Sequence, residues 1–187
     1  MDELKFAVIG NPVSHSLSPD IHLFFASQFQ LERYTYNKIK SNENDFERDI
    51  NDFFKNGGVG LNVTVPFKGL AYNLCDELDQ SAGLCKSVNT VLIDSGKLIG
   101  HSTDGQGLID DFLHKEITLE DSKILIIGAG GSAASIISSL LLHGKIKEIS
   151  ILNRTKSNVL RLLDLFGTNR LLMHEAGDEY DIVINTT

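Results

Sequence analysis

The chain has 187 residues, 42% hydrophobic and 22% charged, with a formal net charge of -8. This is an ordinary globular composition for one large or two small domains, and the acidic balance argues against a general nucleic-acid surface. No run approaches the length of a membrane helix. The start Met1-Asp2-Glu3 is acidic and lacks a signal-like apolar segment, so a cytoplasmic protein with no membrane partner is expected. Cys75 and Cys85 fit no metal or redox spacing and read as reduced thiols. The six histidines include no i,i+4 pair, so no metal site is expected.

Lys5 to Ile9 is a short apolar run bounded by Gly10, a predicted buried strand. The loop from Gly10 to Ser18 is rich in turn residues and hydroxyls. Ser18-Pro19-Asp20 predicts a helix start, with Ser18 as the capping hydroxyl. Apolar residues at helical spacing run from Ile21 to Phe29, Tyr34 to Ile39 alternates like a strand, and Asn42 to Lys55 predicts an amphipathic helix ended by Gly57-Gly58. Leu61 to Val65 alternates as a strand, and Pro66 stops it by removing a backbone donor. Lys68 then falls just past a strand C-terminus, the rim where open α/β sheets bind ligands. Burial or a neighbouring charge can tune a lysine held there; the plain alternative is a solvated loop lysine.

Lys68 to Asp76 and Gln80 to Lys86 predict short helices. Ser87 to Ile93 and Lys97 to Ser102 flank the hairpin signal Asp94-Ser95-Gly96. After Thr103-Asp104-Gly105 a helix is expected to about His114, and the polar stretch Lys115 to Ser122 suits a linker. The order β-α-β-α-β implies parallel strands with helices packed on the sheet.

A second α/β unit begins at Lys123. The apolar strand Ile124 to Ile127 leads into Gly128-Ala129-Gly130-Gly131-Ser132-Ala133 and a helix from about Ala134 to His143. This is the dinucleotide spacing in its confirming context, following a strand and opening a helix. Small residues admit a pyrophosphate to the helix N-terminus; a ligand-free tight turn is the alternative. The next strand, Ile149 to Leu152, ends at Asn153-Arg154-Thr155-Lys156 without the acid that NAD's ribose would favour. Arg154 and Thr155 could instead take a 2′-phosphate, so NADP is the expected cofactor. A helix from Lys156 to Phe166, a short strand at Leu171 to His174 and a strand at Asp181 to Asn185 complete the chain.

Four separated motifs, taken with the glycine loop and Asn153-Arg154-Thr155, resemble the shikimate dehydrogenase family. They are Gly10-Asn11-Pro12 with His15-Ser16-x-Ser18-Pro19, Asn62-Val63-Thr64-Val65-Pro66-x-Lys68, Val88-Asn89-Thr90, and Thr103-Asp104-Gly105. The resemblance implies NADPH-dependent reduction of 3-dehydroshikimate to shikimate in aromatic amino-acid biosynthesis. It implies an α/β architecture: a three-layer substrate domain with a mostly parallel sheet (1–104), then a Rossmann-type NADP domain (105–187). It further implies that Ser16 and Ser18 hold the substrate carboxylate, that Thr64, Asn89 and Asp104 hold ring hydroxyls, and that Lys68 and Asp104 are the catalytic pair.

Two positions depart from the family's usual pattern. Ser102 stands where an asparagine is common, and Asn158 where many NADP-using members carry a second arginine. A doubly wound domain wants about six strands and only about four are predicted after Lys123, so a C-terminally truncated chain is expected. Quinate/shikimate dehydrogenase using NAD, and a non-catalytic substrate- or nucleotide-binding fragment, remain as alternatives. The expected partner is a small-molecule substrate, in a monomer or homodimer.

Overall fold

The computed structural model describes residues 3–187. The chain falls into two units: one takes residues up to Asp79 together with Val88–His101, and the other takes Gln80–Ser87 and Ser102–Thr187. The polar stretch Lys115 to Ser122, expected as a linker, lies wholly inside the second unit, with Leu119 only 3% exposed.

In the first unit β1 (Leu4–Gly10), α1 (Ser18–Gln28), β2 (Tyr34–Lys40), α2 (Phe46–Lys55) and β3 (Gly58–Val63) follow in turn. Strand β1 pairs in parallel with both β2 and β3. Because β2 and β3 lie on opposite sides of β1, right-handed crossovers put α1 and α2 on opposite faces of the sheet. Helix α2 buries Phe46, Ile50 and Phe54. It starts at Phe46 rather than Asn42, because the Asn42 side chain accepts the Asn44 and Asp45 amides and holds a turn there. Phe46 lies on Phe67 with ring centroids 4.9 Å apart.

Strand β3 ends at Val63, two residues before the expected Val65. Thr64 to Phe67 form a turn, and α3 (Lys68–Leu74) begins at Lys68 itself. The two-residue strand β4 (Glu77–Leu78) is too short to show periodicity and was not expected. Strands β5 (Thr90–Asp94) and β6 (Lys97–His101) form the hairpin, with Ser95 (φ 51°) and Gly96 (φ 81°) both left-handed as a tight two-residue turn requires. The sheet order is β2-β1-β3-β5-β6-β4, with β3–β5 and β5–β6 antiparallel and the other pairs parallel.

The second unit contains α4 (Gln80–Cys85), α5 (Asp104–His114), β7 (Lys123–Ile127), α6 (Gly131–His143), β8 (Glu148–Leu152), α7 (Lys156–Phe166), β9 (Leu171–Met173) and β10 (Ile182–Asn185). Its four strands are all parallel in the order β10-β7-β8-β9. In chain order that is 3-2-1-4, the arrangement in which a doubly wound sheet opens a crevice at the switch point between its first and fourth strands. Ile124, Ile126, Ile149 and Ile151 are fully buried, each contributing about 2 kcal/mol by burial alone. Helix α6 is enclosed on every side: residues 133–140 are all buried, because α4 and α5 pack on it in addition to the sheet core. No helix among the described residues is long and apolar enough to cross a membrane.

Candidate active site

In the first unit the carboxyl ends of β1 and β3 and the amino end of the antiparallel β5 form one rim, and backbone bonds stitch it together. The Thr64 amide donates to Ile9 O at 3.0 Å, the Asn11 amide to Val65 O at 2.9 Å, the Val63 amide to Asn89 O at 2.8 Å and the Val88 amide to Lys68 O at 3.0 Å. Gly10 must be glycine here, since a Cβ would fall against the Thr64 side chain and 3.2 Å from Val65 O. This stitching gathers the loop carrying Ser16 and Ser18, the turn carrying Thr64, the first residue of α3 (Lys68), and Asn89. All five side chains are half-buried.

Ser18 is not the helix cap that its position before Pro19 suggests. It is the first residue of α1, Leu17 is the cap residue, and no side chain caps the helix. The Ser18 hydroxyl pairs instead with Ser16. Ser16 Oγ donates to Ser18 Oγ at 3.1 Å and accepts the Ser18 amide at 3.3 Å. A separate network begins at Tyr36, which donates to Asn62 Oδ1 at 2.7 Å. Asn62 Nδ2 donates to Thr90 Oγ1 at 3.1 Å, and Thr90 Oγ1 to Asn89 Oδ1 at 3.2 Å. Tyr36 is 5% exposed and stacks on His22, with centroids 4.3 Å apart. Burial, above all, with the neighbouring Tyr34, pushes its phenol up to about 12. Tyr36, Asn62 and Thr90 carry no role in the sequence reading. The available signal was a polar tip on an inward-facing strand position, one residue type at a time.

Asp104 lies in the second unit, as the first residue of α5. Its neighbour Gly105 donates its amide to Ser135 Oγ of α6 at 3.1 Å, and Ser135 Oγ lies 2.7 Å from Ser102 Oγ. Ser102, which replaces the family's common asparagine, is therefore a buried hydroxyl that helps lock the start of α5, with Cys85 Sγ 3.4 Å from it.

The glycine loop sits at the switch point. Gly128 has φ 119°, a conformation that excludes side chains, and its amide donates to Leu152 O at 2.8 Å. Helix α6 opens at Gly131, three residues earlier than expected, directly after the extended Gly130. A Cβ built on Gly130 meets nothing within 4 Å, so the loop leaves open space over the helix N-terminus. Ala133 is fully buried, where the third small residue of the pattern allows helix and strand to pack. Asn153 Nδ2 donates to Thr155 O at 3.0 Å, shaping the turn that carries Arg154. A cavity of about 430 Å³ is lined by Ile127, Gly128, Leu152, Asn153, Arg154 and Thr187. Open space at a helix N-terminus beside an arginine-lined cavity fits a phosphate-bearing dinucleotide. Arg161 was not singled out in the sequence; from α7 its Nη2 donates to Ala129 O at 3.0 Å and ties the loop down. No cluster of potential metal ligands occurs among the described residues.

Known proteins match both units in order. Residues 8–91 match the shikimate dehydrogenase substrate binding domain family, and residues 112–187 the shikimate / quinate 5-dehydrogenase family. A shikimate dehydrogenase (NADP(+)) of Acinetobacter baylyi is 40% identical over 190 residues, covering 98% of this chain and 72% of the relative. Among solved structures, shikimate dehydrogenase from Aquifex aeolicus superposes with a TM-score of 0.89 at 29% identity, covering 99% of this chain and 69% of that one. Shikimate 5-dehydrogenase from Thermus thermophilus, in complex with NADP(H) and shikimate, gives 0.87 at 32% identity, covering 98% of this chain and 68% of that one. With that identity sustained over nearly its whole length, the chain belongs to the shikimate dehydrogenase family.

Proposed function

We propose that this chain binds NADP(H) and shikimate and serves the NADPH-dependent reduction of 3-dehydroshikimate to shikimate. The first unit is the substrate domain and the second the cofactor domain. The observation that carries the reading is the gathering of Ser16, Ser18, Thr64, Lys68 and Asn89 on one rim by the backbone bonds of β1, β3 and α3. Relatives at 40% identity named for NADP(+) and a structural relative holding NADP(H) with shikimate support it.

Ser16 and Ser18 receive the substrate carboxylate, and Thr64, Asn89 and Asp104 the ring hydroxyls. The loop Gly128-Ala129-Gly130-Gly131-Ser132-Ala133 holds the pyrophosphate, while Asn153, Arg154 and Thr155 hold the 2′-phosphate end. Bound NADPH supplies the hydride. As the ketone's C=O π bond opens, negative charge develops on its oxygen. Lys68, as ammonium, stabilises that charge and gives the proton that completes the alcohol. Asp104 is the second catalytic residue. The protein acts as a cytoplasmic enzyme on small molecules.

The test is NADPH oxidation with 3-dehydroshikimate, alongside calorimetric binding of shikimate. Lys68→Ala is expected to lower kcat by several orders of magnitude, with a much smaller change in KM, as loss of a proton donor and charge stabiliser requires. A variant turning over near the wild-type rate refutes the assignment. Binding without turnover by the wild-type chain supports a binding-only role.

A further inference from the structure

Helix α5 begins without a cap of its own. Thr103 stands at the cap position and makes no side-chain cap bond, so the first-turn amides need other acceptors. The Gly105 amide finds one in Ser135 Oγ, 3.1 Å away on α6. A hydroxyl that accepts from the second residue of a helix does what an N-cap does. Here it comes from a neighbouring helix, so it fixes the first turn of α5 against α6 as well as closing it. The peptide it holds is the one that joins Asp104 to Gly105.

The clamp is itself well held. Ser135 and Ser102 are both buried, and their hydroxyl oxygens lie 2.7 Å apart. The Ser135 oxygen is thus seated by two partners, the Gly105 amide and the Ser102 hydroxyl. Close packing adds to the polar contact, since a Cβ at Gly105 would fall against the Ser135 carbonyl oxygen and the Ser139 hydroxyl. Ser135 stands four residues after Gly131, the first residue of α6, about 6 Å further along the axis. One enclosed helix therefore carries the nucleotide loop at its start and the clamp on α5 one turn in.

We propose that Ser135 is a positioning residue for Asp104. Capping α5 from α6, with Ser102 seating its oxygen, it holds the Asp104 backbone so that the carboxylate is in place for the substrate. This rests on the role given to Asp104 under Proposed function.

Helix α6 supplies its own control. Ser138 is as buried as Ser135, each 1% exposed, and its Oγ has no hydrogen-bond partner among the described residues. Ser135→Ala and Ser138→Ala delete the same atom from the same helix at the same depth, and only the first strands the Gly105 amide. Shikimate binding by calorimetry, NADPH binding by fluorescence titration and the melting temperature are measured for the wild-type chain, both variants, Asp104→Ala and the Ser135→Ala/Asp104→Ala double variant. Ser135→Ala is expected to bind shikimate about fivefold more weakly, the worth of one neutral hydrogen bond, with NADPH affinity unchanged. In the Asp104→Ala background the same change is expected to cost less than about twofold, because the residue it positions is gone. Ser138→Ala is expected to bind both ligands as wild type does. Ser102→Ala keeps the Gly105 acceptor and removes its seat; it is expected to weaken shikimate binding by a smaller factor, and it carries the same cycle if Ser135→Ala does not fold. A merely structural Ser135 lowers the melting temperature and leaves shikimate affinity unchanged, or costs as much with Asp104 absent as with it present. Either result overturns the proposal, as does an equal loss from Ser138→Ala. A wild-type chain that does not bind shikimate, or an Asp104→Ala variant that binds it as wild type does, refutes the substrate assignment itself, and this inference with it.

Discussion

Two glycines on helix α5 make a matched test of how its first turn is held. Gly105 is buried at the start of the helix, and Gly107 is exposed one half-turn later. A Cβ at Gly105 would fall against the Ser135 carbonyl oxygen and the Ser139 hydroxyl and lie 2.8 Å from the Ser135 carbonyl carbon, whereas a Cβ at Gly107 meets nothing within 4 Å. Replacing either glycine by alanine gains at most about 1 kcal/mol of helix propensity. At Gly105 the obstructing atoms are helix backbone, which cannot rotate aside, so overpacking should cost toward the upper end of the usual range, about 3 kcal/mol. The net expectation is a loss of about 2 kcal/mol for Gly105→Ala and a gain of up to about 1 kcal/mol for Gly107→Ala. For a chain of this size that is a melting temperature lowered by roughly 4–8 °C in one case and raised by roughly 2–4 °C in the other. Parallel thermal melts followed by circular dichroism measure both. If Gly105→Ala melts at or above the wild-type temperature, or if the two variants shift together, close packing of α5 on Ser135 does not hold this turn.

The nucleotide loop and the histidine stack yield further expectations. Arg154→Gln is expected to weaken NADPH binding about tenfold and leave NADH binding nearly unchanged, because Arg154 lines the cavity proposed for the 2′-phosphate. Arg161→Gln, which releases Ala129 O, is expected to weaken both cofactors by the same factor, and fluorescence titration with the two separates the roles. His22 is held below its ordinary value by burial. The unfolded chain therefore takes up its proton first as pH falls, so this contribution to stability is present above about pH 6.5 and is lost as pH drops through the lowered folded value. His22→Phe should lose less melting temperature than wild type between about pH 7 and pH 5; equal losses count against the half-buried neutral imidazole.

The strands and helices that form the two sheets were legible because their signals are local. The fully apolar run Ile124 to Ile127 can only be a strand buried on both faces, and the glycines after it need the turn they make. Asp94-Ser95-Gly96 carried its hairpin in the same way. The misread features depend on partners distant in sequence. Ser18 looks like a cap because capping is a local pattern, yet its hydroxyl is held by Ser16 and no side chain caps the helix. Tyr36, Asn62 and Thr90 come from three different strands, and only the register of β1 between β2 and β3, with β5 beside β3, makes them one network. Arg161 sits in the second turn of α7, with nothing in its neighbourhood to suggest a carbonyl on the far side of the strand–turn–helix junction.

Helix α4 belongs to the second unit although its sequence is flanked on both sides by the first. Ala82 and Cys85 are buried, and Cys85 shares a core with Ile124, Ile137 and Leu162. The ribosome delivers this helix long before α6, the element that covers it. A nascent chain released through His101 thus holds all six strands of the first sheet while α4 still shows its apolar side to water. The second unit cannot close its core until residues 131–143 emerge. An engineered cut between the sheets separates α4 from its lid: the N-terminal half then carries Cys85 uncovered, and the C-terminal half lacks the helix that packs on α6.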